Sequence, residues 1–215
     1  MRSLFVALLL VSVSLLGCVR ENDTASRTTG SSVDTSASSV HSEQGGATAP
    51  VPLPSNPGDE PAVAMISHVA SGGSPKPGMA APNFGWKESN GVERSLSDLK
   101  GKVVLLNFWG TWCPPCRREL PDIVKIHKEF GPKGLEVIGV CLENVDDPIP
   151  HVVEFARSNN LDYLLVIGSD EVTSAYGGIQ AVPTTFVVNR EGKIVDQMIG
   201  MRSEAEFRAA VERAM

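Results

Sequence analysis

Hydrophobic and polar positions change period several times along this chain, and the changes mark its elements. Val103-Val104-Leu105-Leu106 and Phe108-Trp109 form a nearly continuous apolar run with Asn107 inside it. That is the pattern of a strand buried on both faces of a sheet. Gly110 and Thr111 break the run. From Pro114 to about Phe130 the spacing becomes helical: Leu120, Ile123, Val124, His127 and Phe130 fall on one stripe. His127 reads as a structural member of that stripe. Pro121 removes one internal hydrogen bond and predicts a bend. Gly131-Pro132-Lys133-Gly134 ends the helix, and Leu135 to Cys141 reads as the next strand.

The remaining C-terminal half continues the alternation. Asp146-Asp147-Pro148 opens a helix to about Asn159, with Val152, Val153, Phe155 and Ala156 inward and His151 on the surface. Tyr163 to Ile167 is a strand, and Asp170 to Tyr176 a short helix stopped by Gly177-Gly178. Thr184 to Asn189 and Lys193 to Gly200 predict a hairpin around Asn189-Arg190-Glu191-Gly192. Ser203-Glu204-Ala205-Glu206 is a capping box, and the final helix turns Phe207, Ala210 and Val211 inward. Upstream, Asn83 to Lys87 and Val92 to Leu96 flank Glu88-Ser89-Asn90-Gly91, a hairpin signal. Ser97 to Gly101 reads as a short turn closing it.

Between the buried strand and the long helix stand Trp112-Cys113-Pro114-Pro115-Cys116. Proline fits the first helical turn, where its missing N–H is no loss. Cys113 therefore sits at the N-terminal edge of the helix, where unpaired N–H groups and the helix dipole favour thiolate over thiol. Cys116 lies one turn in, close enough to attack a mixed disulfide on Cys113, close the internal disulfide and release the partner as a dithiol. Arg117 and Arg118 either support the thiolate or are simply solvated.

These residues resemble the thioredoxin superfamily, and Leu106-Asn107-Phe108-Trp109-Gly110-Thr111-Trp112 is similar to its membrane-anchored TlpA/ResA type. Pro121, five residues after Cys116, and Val182-Pro183-Thr184-Thr185-Phe186 match the family's helix-kinking proline and cis-proline loop. The resemblance covers roughly Lys76 to Met215. It implies an α/β, thioredoxin-like fold: a central mixed sheet flanked by helices, with an added N-terminal β-hairpin and a central strand–helix insertion between Cys141 and Pro183. It implies Cys113 as nucleophile, Cys116 as resolving cysteine, and Val182 and cis Pro183 as a backbone platform for substrate. Trp112 would cover the site in this reading, and would be a plain core aromatic otherwise. One departure stands out. Thioredoxin has a buried aspartate that assists proton transfer at the second cysteine; Asn107 occupies that position, and Asn takes up no proton. Glu143, just after the next strand, is the candidate substitute.

The first 75 residues read differently. Arg2 precedes the apolar run Leu4 to Leu16, too short for a comfortable membrane span and fitting a secretory signal. Leu15-Leu16-Gly17-Cys18 resembles the lipobox of bacterial lipoproteins, which implies lipid attachment at Cys18; an ordinary cleaved signal or an uncleaved anchor are the alternatives. Residues 19–75 are rich in Ser, Thr, Gly, Ala and Pro, with apolar periodicity only at Ala62 to Val69. Such a segment buries too little surface to offset its ordering entropy. The expected organisation is therefore 1–18 signal, 19–75 disordered tether and 76–215 thioredoxin-like domain. His41 and His68 fall in the tether and read as solvated.

Composition narrows the function. The net charge of −6 and pI of about 5.3 argue against nucleic acid as partner. Four cysteines, Cys18, Cys113, Cys116 and Cys141, are too few for a disulfide framework, and a single close pair does not make a zinc site. Cys141 reads as a small core residue or a regulatory thiol. No metal and no cofactor are expected. The resulting expectation is a thiol–disulfide oxidoreductase of the cell envelope, lipid-anchored on the periplasmic side. The resemblance implies that it reduces disulfide-containing envelope proteins and is recharged by a membrane electron donor. Two other readings compete. Thr111-Trp112-Cys113 gives only a weak hint of the Thr-x-x-Cys site of peroxiredoxins, being one residue short of that spacing, and that family lacks this CxxC. A copper-delivery protein on the same fold usually separates its cysteines by three residues and adds a later His.

Overall fold

The computed structural model describes residues 61–70, 73 and 75–215. Cys18, the signal segment and the tether up to residue 60 lie outside the described residues. The strands are β1 (Val63–Val69), β2 (Phe84–Lys87), β3 (Glu93–Ser95), β4 (Val103–Trp109), β5 (Leu135–Cys141), β6 (Leu164–Ile167), β7 (Thr184–Val188) and β8 (Ile194–Ile199). The helices are α1 (Pro114–Phe130), α2 (Pro148–Ser158), α3 (Asp170–Ala175) and α4 (Glu204–Ala214). One mixed sheet runs in the order β3-β2-β1-β6-β5-β4-β7-β8.

β4 lies deep in this sheet, parallel to β5 on one side and antiparallel to β7 on the other. All seven of its residues are buried, which is why its sequence is apolar on both faces rather than alternating. One face carries Val103, Leu105 and Trp109 against α1, α2 and α4, through Leu120, Ile123, Val152 and Phe207. The other carries Val104, Leu106 and Phe108 against Trp86, Val172, Tyr176 and Phe186. With both faces covered, β4 holds its C-terminal end, and the cysteines after it, in a fixed place.

One expectation is corrected. The folded part does not start at Lys76: β1 lies inside the segment expected to be tether. Val63 to Met65 pair in parallel with Leu165 to Ile167 of β6, and Met65 to Val69 pair antiparallel with Phe84 to Lys87 of β2. β1 thus bridges the parallel half of the sheet to the β2–β3 pair. It saturates the backbone of β6 that would otherwise be an open edge. Ala64 is buried, and Ile66 and Val69 pack against the core beside it.

Candidate active site

The site is built where β4 gives way to α1. Gly110 ends the strand for a steric reason. A Cβ there would sit 2.6 Å from Trp112 Nε1 and 3.0 Å from the Leu142 carbonyl oxygen. The close approach lets Trp112 Nε1 donate to Leu142 O at 2.8 Å. The indole is 58 % exposed, so Trp112 is a surface aromatic beside the cysteines and not a core residue. Cys113 N–H donates to Gly110 O, closing the turn.

Cys113 is the N-cap of α1, and Pro114 and Pro115 fill the first helical turn. Its sulfur accepts the Cys116 N–H at 3.2 Å. This is the role usually taken by a Ser or Asp oxygen, and here it places helix N–H density on sulfur. Cys113 and Cys116 are joined in a disulfide and both are buried. Facing them, the Val182–Pro183 peptide is cis, and Val182 O lies 3.7 Å from Cys113 Sγ. Gly200 N–H donates to Pro183 O and Thr184 Oγ1 to Ala181 O, which tie that loop to β8 and to itself. A groove of about 310 Å³ opens beside it, lined by Tyr176, Ile179, Ala181, Thr184 and Ile199. Arg117 stacks its guanidinium over Phe155 of α2, 5.7 Å from the ring centre, and Arg118 is exposed.

Beneath the cysteines Asn107 holds an acid that the sequence reading did not single out, Glu119. Asn107 is fully buried in β4, and its Nδ2 donates to Glu119 Oε1 at 3.0 Å and to Thr185 Oγ1 at 2.9 Å. Glu119 is 1 % exposed. Its Oε2 accepts the Arg202 backbone N–H at 3.0 Å. Burial pushes this carboxyl up to about 7, against the opposing pull of the Arg202 and Asn107 hydrogen bonds. A group that ionises near neutrality thus stands one turn beyond Cys116 on the same helix. The signal was in the sequence: position 119 is three residues after Cys116 and four before Ile123, on the buried stripe where an acid is out of place.

Glu143 is elsewhere. The structure brings it to the other side of the loop, where Oε1 accepts from Thr111 N–H at 2.7 Å and from the Cys141 thiol at 3.3 Å. It does not meet Asn107. Cys141 is a buried free thiol, held in its protonated form by burial first and by the Glu143 charge second. His151, expected on the surface, is half-exposed and places Nε2 2.9 Å from Thr111 Oγ1. Among the described residues no group of three or more His, Cys, Asp or Glu side chains is arranged to hold a metal ion, and no helix is long and apolar enough to cross a membrane.

A covered central strand, a cysteine as helix N-cap, a second cysteine one turn in and disulfide-bonded to it, and a cis Val182–Pro183 peptide facing the sulfur define a thioredoxin-fold thiol–disulfide oxidoreductase. The chain belongs to the AhpC/TSA family, whose model matches residues 77–197. It is 41 % identical over 129 residues to the thiol-disulfide oxidoreductase ResA of Bacillus subtilis (strain 168), covering 60 % of this chain and 70 % of that one. The ResA of Geobacillus thermodenitrificans is 36 % identical over 136 residues, covering 63 % and 76 %. Among solved structures, a thiol:disulfide interchange protein of the thioredoxin family from Chlorobium tepidum superposes with a TM-score of 0.57 at 32 % identity, covering 65 % of this chain and 97 % of its own.

Proposed function

We propose that this oxidoreductase reduces disulfides of envelope proteins outside the cytoplasmic membrane, tethered there by lipid on Cys18. In the reduced enzyme the Cys113 thiolate attacks one sulfur of a substrate disulfide. A Cys113–substrate disulfide forms, and the other substrate sulfur leaves as thiolate and takes a proton. Cys116 then loses its proton, with Glu119 as acceptor, and attacks Cys113 Sγ. The internal disulfide closes, and the second substrate thiol is released. Two electrons have passed to the substrate, and a dithiol donor in the membrane returns them. Substrate backbone pairs along Val182, so recognition is tolerant of sequence; Trp112 and the groove beside Pro183 cover the rest of the bound segment. The assignment of Glu119 in place of Glu143 rests on its contact with Asn107.

The observation that carries this reading is the Cys113 sulfur, capped by Cys116 N–H and faced by Val182 O. The first experiment is the reduction potential of the Cys113–Cys116 couple, measured by equilibration with glutathione or a dithiol. A value near thioredoxin's roughly −270 mV supports a reductase, and one near roughly −120 mV makes the protein an oxidant. Cys116→Ser is expected to trap substrate on Cys113 as a stable mixed disulfide. If that variant captures nothing from an envelope extract and no two-electron couple appears, the reading fails.

A further inference from the structure

The proposed chemistry uses Glu119 and leaves a second buried acid unexplained. The Glu143 side chain is 2 % exposed. Its Oε1 is bonded to the Thr111 backbone N–H and the Cys141 thiol, and its Oε2 lies 3.9 Å from His151 Nε2. His151 in turn bonds the Thr111 hydroxyl. Thr111 is two residues before Cys113 in the turn closed by Cys113 N–H and Gly110 O. The neighbouring Leu142 carbonyl holds Trp112. The strand end 141–143 therefore grips the nucleophile's loop from outside at two successive residues, and one of the grips is a carboxylate.

Two physical consequences follow. A carboxylate bound to a backbone N–H fixes the loop more firmly than a neutral acceptor does. A carboxylate bonded to Thr111, two residues before Cys113, also opposes a negative charge on the Cys113 sulfur. An imidazolium at 151 offsets that opposition. The other charged groups are Glu119, buried one turn beyond Cys116 on α1, Arg117, which stacks on Phe155 one turn along α2 from His151, the exposed Arg118 beside it, and the exposed Asp146 and Asp147 just before α2.

We propose that Glu143 is a positioning residue for Cys113: it pins the nucleophile's loop through Thr111 and, by its charge, restrains Cys113 ionisation, with His151 as the counter-charge that moderates it. The inference rests on the oxidoreductase reading above. It places Glu143 outside proton transfer and makes it a determinant of how oxidising the couple is.

Glu143→Gln separates the two parts, because the amide oxygen still accepts from Thr111 N–H while the charge is gone. In the reduced full chain, Cys113 ionisation is followed by thiolate absorbance against pH, and the redox equilibrium by glutathione. The variant is expected to raise the Cys113 ionisation constant about threefold or more, and to shift the glutathione equilibrium towards reduced enzyme by a similar factor. His151→Gln is expected to move both in the opposite direction. A Glu143→Gln protein that melts like wild type with ionisation and equilibrium unmoved overturns the proposal. If that variant does not fold, an unmoved His151→Gln overturns it. A wild-type protein with no two-electron couple defeats the parent reading instead, so the two failures are distinct.

Discussion

Two buried glutamates flank the cysteine turn, and they are held in different ways. Glu119 sits under it, bonded to the neutral Asn107 amide and the Arg202 backbone N–H. Glu143 sits outside it, bonded to a backbone N–H and a thiol and close to an imidazole. The inner acid is pushed up to about 7 by burial, which suits a group that takes a proton from Cys116 and gives it back. The outer acid touches the loop that presents Cys113 and suits a fixed charge. In the proposed exchange the same residue type serves opposite ends, and what separates the roles is the partner set rather than distance along the chain.

The comparison breaks most visibly at Glu119. Glu119→Gln keeps the shape and removes the ionisable group. Resolution of the mixed disulfide is expected to slow about a hundredfold at neutral pH, the lower range for a lost general base. The pH–rate profile should lose its inflection near 7. Glu143→Gln should keep that inflection. The measurement is stopped-flow resolution of a Cys113 mixed disulfide with a small thiol. If the two variants give the same profile, the division of roles is wrong.

The same acid carries a stability signature. Its folded value of about 7 stands above the ordinary 4.5, so between those values the native state holds a proton that the unfolded chain has lost. Stability from this group is full below about 4.5 and falls as pH rises towards 7, by about 3 kcal/mol at most. Urea unfolding of the wild type should weaken across that window. Glu119→Gln should remove this contribution, so that its stability declines less over the same range. Its amide must face two donors, Asn107 Nδ2 and Arg202 N–H. Asn107 Oδ1 has no hydrogen-bond partner among the described residues, so a flip of Asn107 offers the new amide an acceptor. A wild-type slope equal to the variant's would remove the basis for calling Glu119 a proton exchanger.

How much of this was legible in the chain follows from the range of each interaction. β4, α1 and β5 were readable because periodicity is local: α1 ends at Phe130 and β5 spans Leu135–Cys141, as the apolar pattern indicated. The cysteine pair was readable from proline at the helix start. The cis Val182–Pro183 bond came only through the resemblance, since nothing in local sequence distinguishes it. β1 was assigned to the tether despite the apolar periodicity of Ala62 to Val69, because its flanks are rich in Ser, Gly and Pro and the pairing of Val63 with Leu165 that makes it a strand comes from across the fold. Glu119 was hidden for a different reason. Thioredoxin keeps its aspartate on a strand, whereas here the acid stands on helix α1 and meets Asn107 across the face of the sheet. Glu143 was singled out, but its partners Thr111 and His151 come from other elements and no spacing rule brings them together.

The smallest expected effect tests the outer side more finely. Thr111 offers two groups, a backbone N–H to Glu143 and a hydroxyl to His151. Thr111→Val removes only the hydroxyl and keeps the β-branched shape. The lost bond is partly exposed, so the melting shift should correspond to about 1 kcal/mol or less. The Glu119 inflection near 7 should stay in place. Cys113 ionisation should move less than in Glu143→Gln, because the carboxylate and its N–H contact survive and only the tether holding the imidazole is cut. Thiolate absorbance on the two variants side by side decides the point. If Thr111→Val shifts Cys113 as far as Glu143→Gln does, the loop is set by the Thr111–His151 contact and not by the charge of Glu143, and the outer acid becomes a support for the imidazole.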